Sequence, residues 1–256
     1  MPIESLFLFS AGFFGGILNS VAGGGSFITF PALLWAGVPP INANATNTFA
    51  SCAGYLSGTY AFRDDLYRHK KALPPLVAIS LVGGIAGAWL LLQTPEQLFR
   101  EAIPWLLLFA TFLFVFGGNI NRALKRRSSN YQHASTIGHA LLGLVLLGIC
   151  IYGGFFNAGL GIIALSYLAL AGQTNINAMN GMKLLISAAV SLTAIALFVI
   201  DDVIAWRQGL LVLAGTLLGG YTAAHVSRQM PQQYVRGFVA LIGSGITLYF
   251  FVDIYA

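Results

Sequence analysis

Residues 19–34 read NSVAGGGSFITFPALL and lie in the middle of a stretch, from Ser5 to Phe62, that contains no charged side chain. A run this apolar predicts helices in a lipid bilayer, where no water is available and the backbone must satisfy its hydrogen bonds within the helix. Three consecutive glycines, a serine and a proline are, however, poor helix formers. The contrast predicts a helix that breaks inside the membrane, at the glycines.

The whole chain has the composition of a membrane protein. Of its 256 residues, 57% are hydrophobic and only 8% are charged, whereas soluble domains carry about 25% charged residues. Several uncharged runs reach the roughly 20 residues that cross a bilayer as a helix. We therefore expect an all-α polytopic membrane protein in contact with the lipid bilayer. Most Lys and Arg lie in loops between apolar runs, so the net charge of +5 reflects membrane topology, and we expect no nucleic-acid partner.

The first and fifth of the apolar segments are too long for a single crossing. Residues 5–37 would form a helix of roughly 50 Å, against a hydrocarbon core of roughly 30 Å. A break near the glycines, with the chain turning back, would resolve the mismatch. The eight segments lie at about residues 5–37, 43–62, 73–92, 102–118, 136–172, 178–200, 209–225 and 235–252.

The two halves of the chain resemble each other at a period near 136 residues. The motifs recur in one order: GG with Asn19 and with Asn157, INA at 41–43 and 176–178, DD at 64–65 and 201–202, and GG at 83–84 and 219–220. This order predicts an internal duplication of two four-segment halves. We expect a first membrane repeat over 1–118, a basic cytoplasmic linker over 119–135 and a second membrane repeat over 136–256.

Loop charge favours inverted repeats. Loop 63–72 carries four Lys and Arg against one in its counterpart 201–209, while loop 93–101 carries one against two in 226–236. If the first segments are re-entrant, ten Lys and Arg lie on one side against two, which places both termini outside. If each first segment crosses once, the ratio is nine to three and both termini lie inside. The charges leave both topologies open.

Polar residues near the predicted breaks form a candidate site for a small anion. Gly23 to Gly25 can adopt positive φ, and their bare N–H groups can approach a ligand. Pro31 would kink or restart the helix. The second half repeats the pattern as NAGLG at 157–161. Broken helices near the midplane form the substrate sites of inverted-repeat transporters, where helix N-termini attract anions.

A second polar cluster opens the next segment of each half, as NANATNT at 42–48 and NAMNGMK at 177–183. Asn42 and Asn177 are expected to cap the helices. Lys183 is the only Lys or Arg well inside an apolar segment, which indicates function unless its side chain snorkels to the interface. One cation with neutral donors suits a small oxyanion. The predicted substrate-binding residues are Asn19, Gly23, Gly24, Gly25, Ser26, Asn44, Thr46, Asn47, Thr48, Asn157, Gly161, Asn180 and Lys183.

At these positions the chain resembles the sulfite exporter TauE/SafE family of integral membrane proteins. The likeness rests on GFFGGILNSVAGGGSFITFPALL at 12–34, PPINANATNT at 39–48, GGFFNAGLGI at 153–162 and INAMNGMK at 176–183. It implies export of sulfite, sulfoacetate or related organosulfonates across the cytoplasmic (inner) membrane of bacteria. The second half departs from the first, with GLG in place of GGGS and Met182-Lys183 in place of Asn-Thr, so a symmetric site is not expected.

Two other functions are weighed against this one. An intramembrane serine hydrolase would use Ser26 as nucleophile and His225 as base, but GGGSF lacks the trailing glycine of a nucleophile elbow. A transporter of an unrelated ion, such as a cation, would need Asp or Glu inside the membrane. We therefore expect a transporter rather than an enzyme, with no metal and no cofactor. The anion, the coupling ion and the formation of a homodimer are left open.

Overall fold

The computed structural model describes residues 2–22, 24–128, 136–226 and 232–255. Within these ranges the chain forms α-helices joined by short loops, with one 3-10 turn at Lys70–Ala72 and no strand. In chain order the helices are α1 Pro2–Ala22, α2 Ser26–Trp35, α3 Pro40–Ala61, α4 Arg63–Arg68, α5 Leu73–Gln93, α6 Glu96–Ser128, α7 Thr136–Phe155, α8 Leu160–Leu170, α9 Ile176–Ile200, α10 Trp206–Val226 and α11 Gln232–Tyr255.

Three stretches of the described helices are long and apolar enough to cross a bilayer by themselves. They are Lys70–Gln93, Glu96–Gly117 and Ile176–Ile200. Shorter apolar helices cover Ile3–Asn19, Ser26–Trp35, Ala140–Phe155, Leu160–Leu170 and Val239–Tyr255. The prediction of an all-α chain with several apolar spans is confirmed.

The two overlong segments are both broken. Residues 5–37 form α1 and α2, and residues 136–172 form α7 and α8, which are separated by residues 156–159. Pro31 lies inside α2, so of the two outcomes expected of it, a kink or a restart of the helix, the restart is wrong. The helix already begins at Ser26, directly after the glycines.

Two predicted loops contain helix. Residues 63–72 form α4 and the 3-10 turn; Asp64 and Asp65 in the first turn and Arg68 in the last turn complement the helix dipole. α6 continues to Ser128, so residues 119–128 of the predicted linker are helical. Ala, Leu, Lys and Arg dominate residues 122–127, and these are strong helix formers.

The helix ends collect at two opposite ends of the bundle. At the aromatic end, which we define by Trp35, Trp89, Trp105 and Trp206, all four indole side chains are exposed. Ring contacts join the helices there: Trp35 packs on Tyr249 at 5.8 Å and Trp105 on Phe251 at 5.1 Å between centroids. α3 and α6 therefore begin, and α2, α5 and α11 finish, at this end. The opposite, basic end carries α4 and the start of α5.

Each broken pair of helices enters the bundle and returns to the end from which it came. α1 runs parallel to α10, with Gly12 against Val212 and Gly16 against Thr216. Since α10 begins at the aromatic end with Trp206, α1 also enters there, and α2 returns there at Trp35.

α7 and α8 follow the same path from the basic end: they enter the bundle there and return to it. α7 runs parallel to α5, with Gly83 against Cys150 and Gly87 against Phe155. α5 begins at the basic end, next to the 3-10 turn. α7 therefore enters from the basic end and α8 returns to it.

α3 and α9 cross in the centre of the bundle and run antiparallel. Gly58 of α3 lies against Leu184 of α9, and Phe62, which follows α3, lies against Gly181. α3 contacts the first broken pair and α10, while α9 contacts the second broken pair and α5. Side chains of these two helices can therefore contact both breaks.

Candidate functional site

Both helix breaks lie at nearly the same depth along α6. A Cβ placed on Gly24 would lie 3.2 Å from Phe114 Cε2, and a Cβ placed on Gly159 would lie 3.3 Å from Ala110 Cβ. Ala110 and Phe114 are four residues apart, which corresponds to about 6 Å along a helix. The two breaks therefore face adjacent turns of α6, in the C-terminal half of the span Glu96–Gly117.

The glycines of the first break are required for space rather than for positive φ. Gly25 has φ −58°, and Gly24 is not among the glycines with positive φ, so that part of the prediction is wrong for both residues. A Cβ on Gly25 would lie 2.5 Å from the Gly15 carbonyl oxygen of α1. Close approach of α1 and α2 thus excludes any side chain. Gly23 lies outside the described residues.

The second break does use a left-handed glycine. Gly159 has φ +81° and precedes the first residue of α8. Most other residues would be strained in that conformation. Side chains donate to carbonyls at and just after the end of α7: Asn44 Nδ2 donates to the Phe155 oxygen at 2.9 Å, and the Tyr152 hydroxyl donates to the Ala158 oxygen at 2.8 Å.

A buried hydrogen-bond cluster, which we call the first cluster, joins the start of α2 to α3. Asn47 Nδ2 donates to Ser26 Oγ at 3.2 Å, and Thr29 Oγ1 donates to Asn47 Oδ1 at 2.5 Å. The Thr29 hydroxyl also lies 3.2 Å from the Gly25 carbonyl oxygen. Ser26, Thr29 and Asn47 are all buried. Both ends of the Asn47 amide are therefore engaged in holding the first break.

A second cluster, of Tyr55, Asn157 and Ser191, joins the second break to both crossing helices. The Tyr55 hydroxyl donates to Asn157 Oδ1 at 2.7 Å, and Asn157 Nδ2 donates to Ser191 Oγ at 3.0 Å. All three residues are buried. Asn157 is thereby fixed between α3 and α9, in the segment that separates α7 from α8.

Lys183 places a cation beside the second break. Its side chain is half-buried and lies across the first turn of α8, where a Cβ on Gly161 would be 3.4 Å from Lys183 Cδ. Its ammonium donates to Asn180 Oδ1 at 3.5 Å, a long contact. Within the described ranges the single ion pair joins Arg100 to Asp253, so no carboxylate there neutralises Lys183. An uncompensated cation and the positive end of α8 together favour an anion.

The structure divides the predicted site residues between the two breaks. Asn44, Asn157, Gly161, Asn180 and Lys183 gather at the second break. Asn19 lies on α1 beside Gly25, since a Cβ on that glycine would lie 2.9 Å from Asn19 Cβ. It joins Gly24, Gly25, Ser26 and Asn47 at the first break.

Two of the predicted site residues form hydrogen bonds with the backbone rather than with side chains at either break. Thr46 Oγ1 accepts a hydrogen bond from the Ala205 amide at 2.9 Å, in the loop before α10. Thr48 Oγ1 donates to the Asn44 carbonyl of its own helix at 3.0 Å. Their hydroxyls therefore stabilise the backbone around α3.

The predicted helix caps are wrong for both crossing helices. α3 begins with Pro40 after Pro39, and a proline at the first helical position has no N–H that needs a cap. Asn175, rather than Asn177, caps α9: its side chain accepts from the amides of Asn177 and Ala178 at 3.0 and 3.2 Å.

Sequence reasoning missed Thr29, Tyr55 and Ser191. For Tyr55 a signal was present, because Asn44, Thr48, Ser51 and Tyr55 follow one another at the spacing of a single helix face. That polar stripe on an apolar helix indicates the face that meets the second break. Ser191 has no comparable signal, since isolated serines are common in membrane helices.

Comparison with known proteins gives one family. The sequence model described as Sulfite exporter TauE/SafE matches residues 8–250. The chain is 27% identical over 243 residues to the probable membrane transporter protein YfcA of Escherichia coli K12, covering 93% of this chain and 86% of the relative.

Further relatives carry equally general names. A probable membrane transporter protein, ORF9, of a Sinorhizobium species is 26% identical over 249 residues, 96% of this chain and 92% of the relative. A probable membrane transporter protein of Haemophilus influenzae is 26% identical over 241 residues, 94% of this chain and 91% of the relative. No solved structure matches the chain.

Proposed function

The chain belongs to the sulfite exporter TauE/SafE family of membrane transporters, and we propose that it exports a small sulfur-containing anion, namely sulfite, sulfoacetate or a related organosulfonate. The membrane is the bacterial cytoplasmic membrane, and the substrate site lies between the two helix breaks. The protein is a transporter and not an enzyme, as are its named relatives.

The observation that carries this proposal is the environment of Lys183. A half-buried cation lies against the start of α8 with an amide as its hydrogen-bond partner. Cations inside membrane helices are costly and mark sites of function. A small oxyanion would accept hydrogen bonds from the ammonium and would lie at the positive end of α8, which offsets its desolvation.

The packing of the helices supports two inverted repeats. The pair α1 and α10 matches the pair α7 and α5, because in each pair the first helix of one half lies along the third apolar segment of the other half. Thr111 and Thr247, which are 136 positions apart, approach each other to 3.3 Å between hydroxyl oxygens. Residues one repeat apart touch in this way at a two-fold axis. We assign the repeats to 1–118 and 136–256, with 119–135 as the linker.

The charge distribution supports a cytoplasmic basic end. Arg63, Arg68, Lys70 and Lys71 lie at that end, and Lys and Arg are retained on the cytoplasmic side of bacterial membranes. α1 and α2 then form a re-entrant pair from outside, and α7 and α8 a re-entrant pair from the cytoplasm. In a cell that is negative inside, the potential contributes roughly 2.3 kcal/mol per charge per 100 mV, so an anion leaves without a coupled ion.

The alternative functions have less support. Ser26 Oγ accepts a hydrogen bond from the Asn47 amide, which cannot act as the general base that a serine nucleophile requires. The side chain of His225 lies outside the described residues. For a cation transporter, the positive charge of Lys183 beside the break would be repulsive.

Efflux of labelled sulfite from proteoliposomes tests the proposal. A potential that is negative inside should accelerate efflux, and sulfoacetate should compete while a small cation should not. A pH gradient alone, applied with the potential clamped at zero, separates proton coupling from uniport. Absence of flux under either gradient would exclude sulfite as the substrate.

A further inference from the structure

The segment that contains α4 and the 3-10 turn presents an exposed positive surface, which we call the basic segment and define as residues 60–71. Arg63, Arg68, Lys70 and Lys71 are all exposed. Asp64 and Asp65 are the carboxylates of this stretch. Neither carboxylate forms an ion pair with these cations, since the ion pair of the described residues is elsewhere. The basic segment therefore keeps an excess of positive charge that no ion pair among the described residues neutralises.

Two tyrosines lie among the cations and are equally exposed. Tyr60 and Tyr67 have 69% and 70% of their surface accessible. The Arg63 guanidinium lies over the Tyr60 ring at 4.5 Å, and the Lys70 ammonium lies over the Tyr67 ring at 4.9 Å. Tyrosine is enriched at the level of lipid headgroups. Aromatic rings and cations side by side are thus suited to the boundary between hydrocarbon and water.

The basic segment is held at that boundary by its connections. The apolar span Lys70–Gln93 begins inside it, so Lys70 and Lys71 lie where a membrane span starts. On the opposite face of α4, Leu66 is buried and packs against Gly181 of α9. α4 therefore lies against the bundle, with its charged residues turned away from the protein.

We infer that the basic segment binds the headgroups of anionic phospholipids, such as phosphatidylglycerol. The cations supply charge complementarity to the phosphates, at about the height where the phosphates lie. The location beside a membrane span favours lipid over an acidic soluble protein. Juxtamembrane Lys and Arg attract anionic lipid surfaces by a Coulombic term that falls off within a Debye length.

Electron spin resonance with spin-labelled lipids tests this inference on the purified, reconstituted protein. The relative association of labelled phosphatidylglycerol and labelled phosphatidylcholine would be measured for the wild type and for the double variant Lys70→Gln/Lys71→Gln. We expect the wild type to prefer phosphatidylglycerol, and each lost cation to reduce the preference by about fivefold or less. The measurement samples both leaflets and so does not depend on the orientation of the protein.

The matched control is the double variant Arg100→Gln/Arg207→Gln, which removes two exposed cations from the aromatic end. It should retain the preference, and so should the charge-conserving Lys70→Arg/Lys71→Arg. Circular dichroism establishes that each variant is folded. The inference is wrong if the Lys70/Lys71 variant keeps the wild-type preference, or if the control pair loses as much. Neither outcome depends on the transported substrate.

Discussion

At the scale of single residues, Asn157 illustrates how a polar side chain is accommodated in an apolar bundle. Both polar atoms of its amide are engaged, since the oxygen accepts from Tyr55 and the nitrogen donates to Ser191. Buried amides are stable only when paired in this way. Asn157 therefore positions the second break, while Lys183, which has no anionic partner in the described part of the chain, is free to meet a ligand.

Tyr55→Phe should destabilise the protein, because it leaves the buried Asn157 oxygen without a donor. Loss of one partner of a buried hydrogen bond costs about 1–3 kcal/mol. Thermal denaturation of the purified protein in detergent measures the effect as a lower melting temperature. Tyr60→Phe is the control on the same helix, since the Tyr60 ring is exposed. Equal melting temperatures for the two variants would show that the second cluster does not hold the break.

At the scale of helices, glycine determines which elements lie together. Gly12 and Gly16 of α1 contact the backbone of α10, and Gly215 and Gly219 of α10 contact the backbone of α1. Such close approach maximises van der Waals contact, which drives helix association in lipid. The same helices would be separated by larger side chains. The broken pair α1 and α2 thus depends on this interface for its position.

Gly16→Ala should weaken the interface, since the added Cβ would overlap the Thr216 backbone. Overpacking of this kind costs about 1–3 kcal/mol, which a lower melting temperature would report. Gly148→Ala on α7 is the matched control, because no other atom lies within 4 Å of the added Cβ. There alanine should be neutral or stabilising, since it is the better helix former by about 1 kcal/mol. The account of α1 and α10 fails if Gly16→Ala is as stable as Gly148→Ala.

The sequence alone predicts the helices better than the contacts between them. Predicted segments 73–92 and 178–200 agree with α5 and α9 within two residues, because long apolar runs have one solution in lipid. The breaks were predictable because the two segments are longer than the hydrocarbon core is thick and contain glycines, which weaken a helix. By contrast, helical spacing turns Asn44 and Thr46 to different sides of α3, but the partners that they meet, Phe155 and Ala205, follow from how the helices pack, which no local pattern encodes.

At the scale of the whole molecule, the fold places the ends of its helices in two groups. The four tryptophans mark one end and the basic segment marks the other. Separation of charge between the two faces of a membrane protein sets its orientation. The connectivity of the helices therefore predicts which loops lie on the same side of the membrane.

Cysteine accessibility tests that prediction. Lys71→Cys at the basic end and Glu96→Cys at the aromatic end are both at exposed positions, whereas the native Cys52 and Cys150 are buried. In intact bacteria a membrane-impermeant maleimide should label Glu96→Cys, and should label Lys71→Cys only after permeabilisation. Labelling of both from one side would contradict the fold. The reverse pattern would contradict the cytoplasmic assignment of the basic end.

The binding of sulfite to Lys183→Met tests the central claim most directly, because the substitution removes the charge and retains much of the side-chain volume beside Gly161. A hydrogen bond to a charged group contributes about 1.5–3 kcal/mol, so calorimetric titration of the purified protein should give a Kd roughly 10- to 100-fold higher than for the wild type. Arg207→Gln, which removes an exposed cation from the aromatic end, should bind as the wild type does. Unchanged affinity in a folded Lys183→Met protein would show that the anion does not bind between the two breaks as proposed.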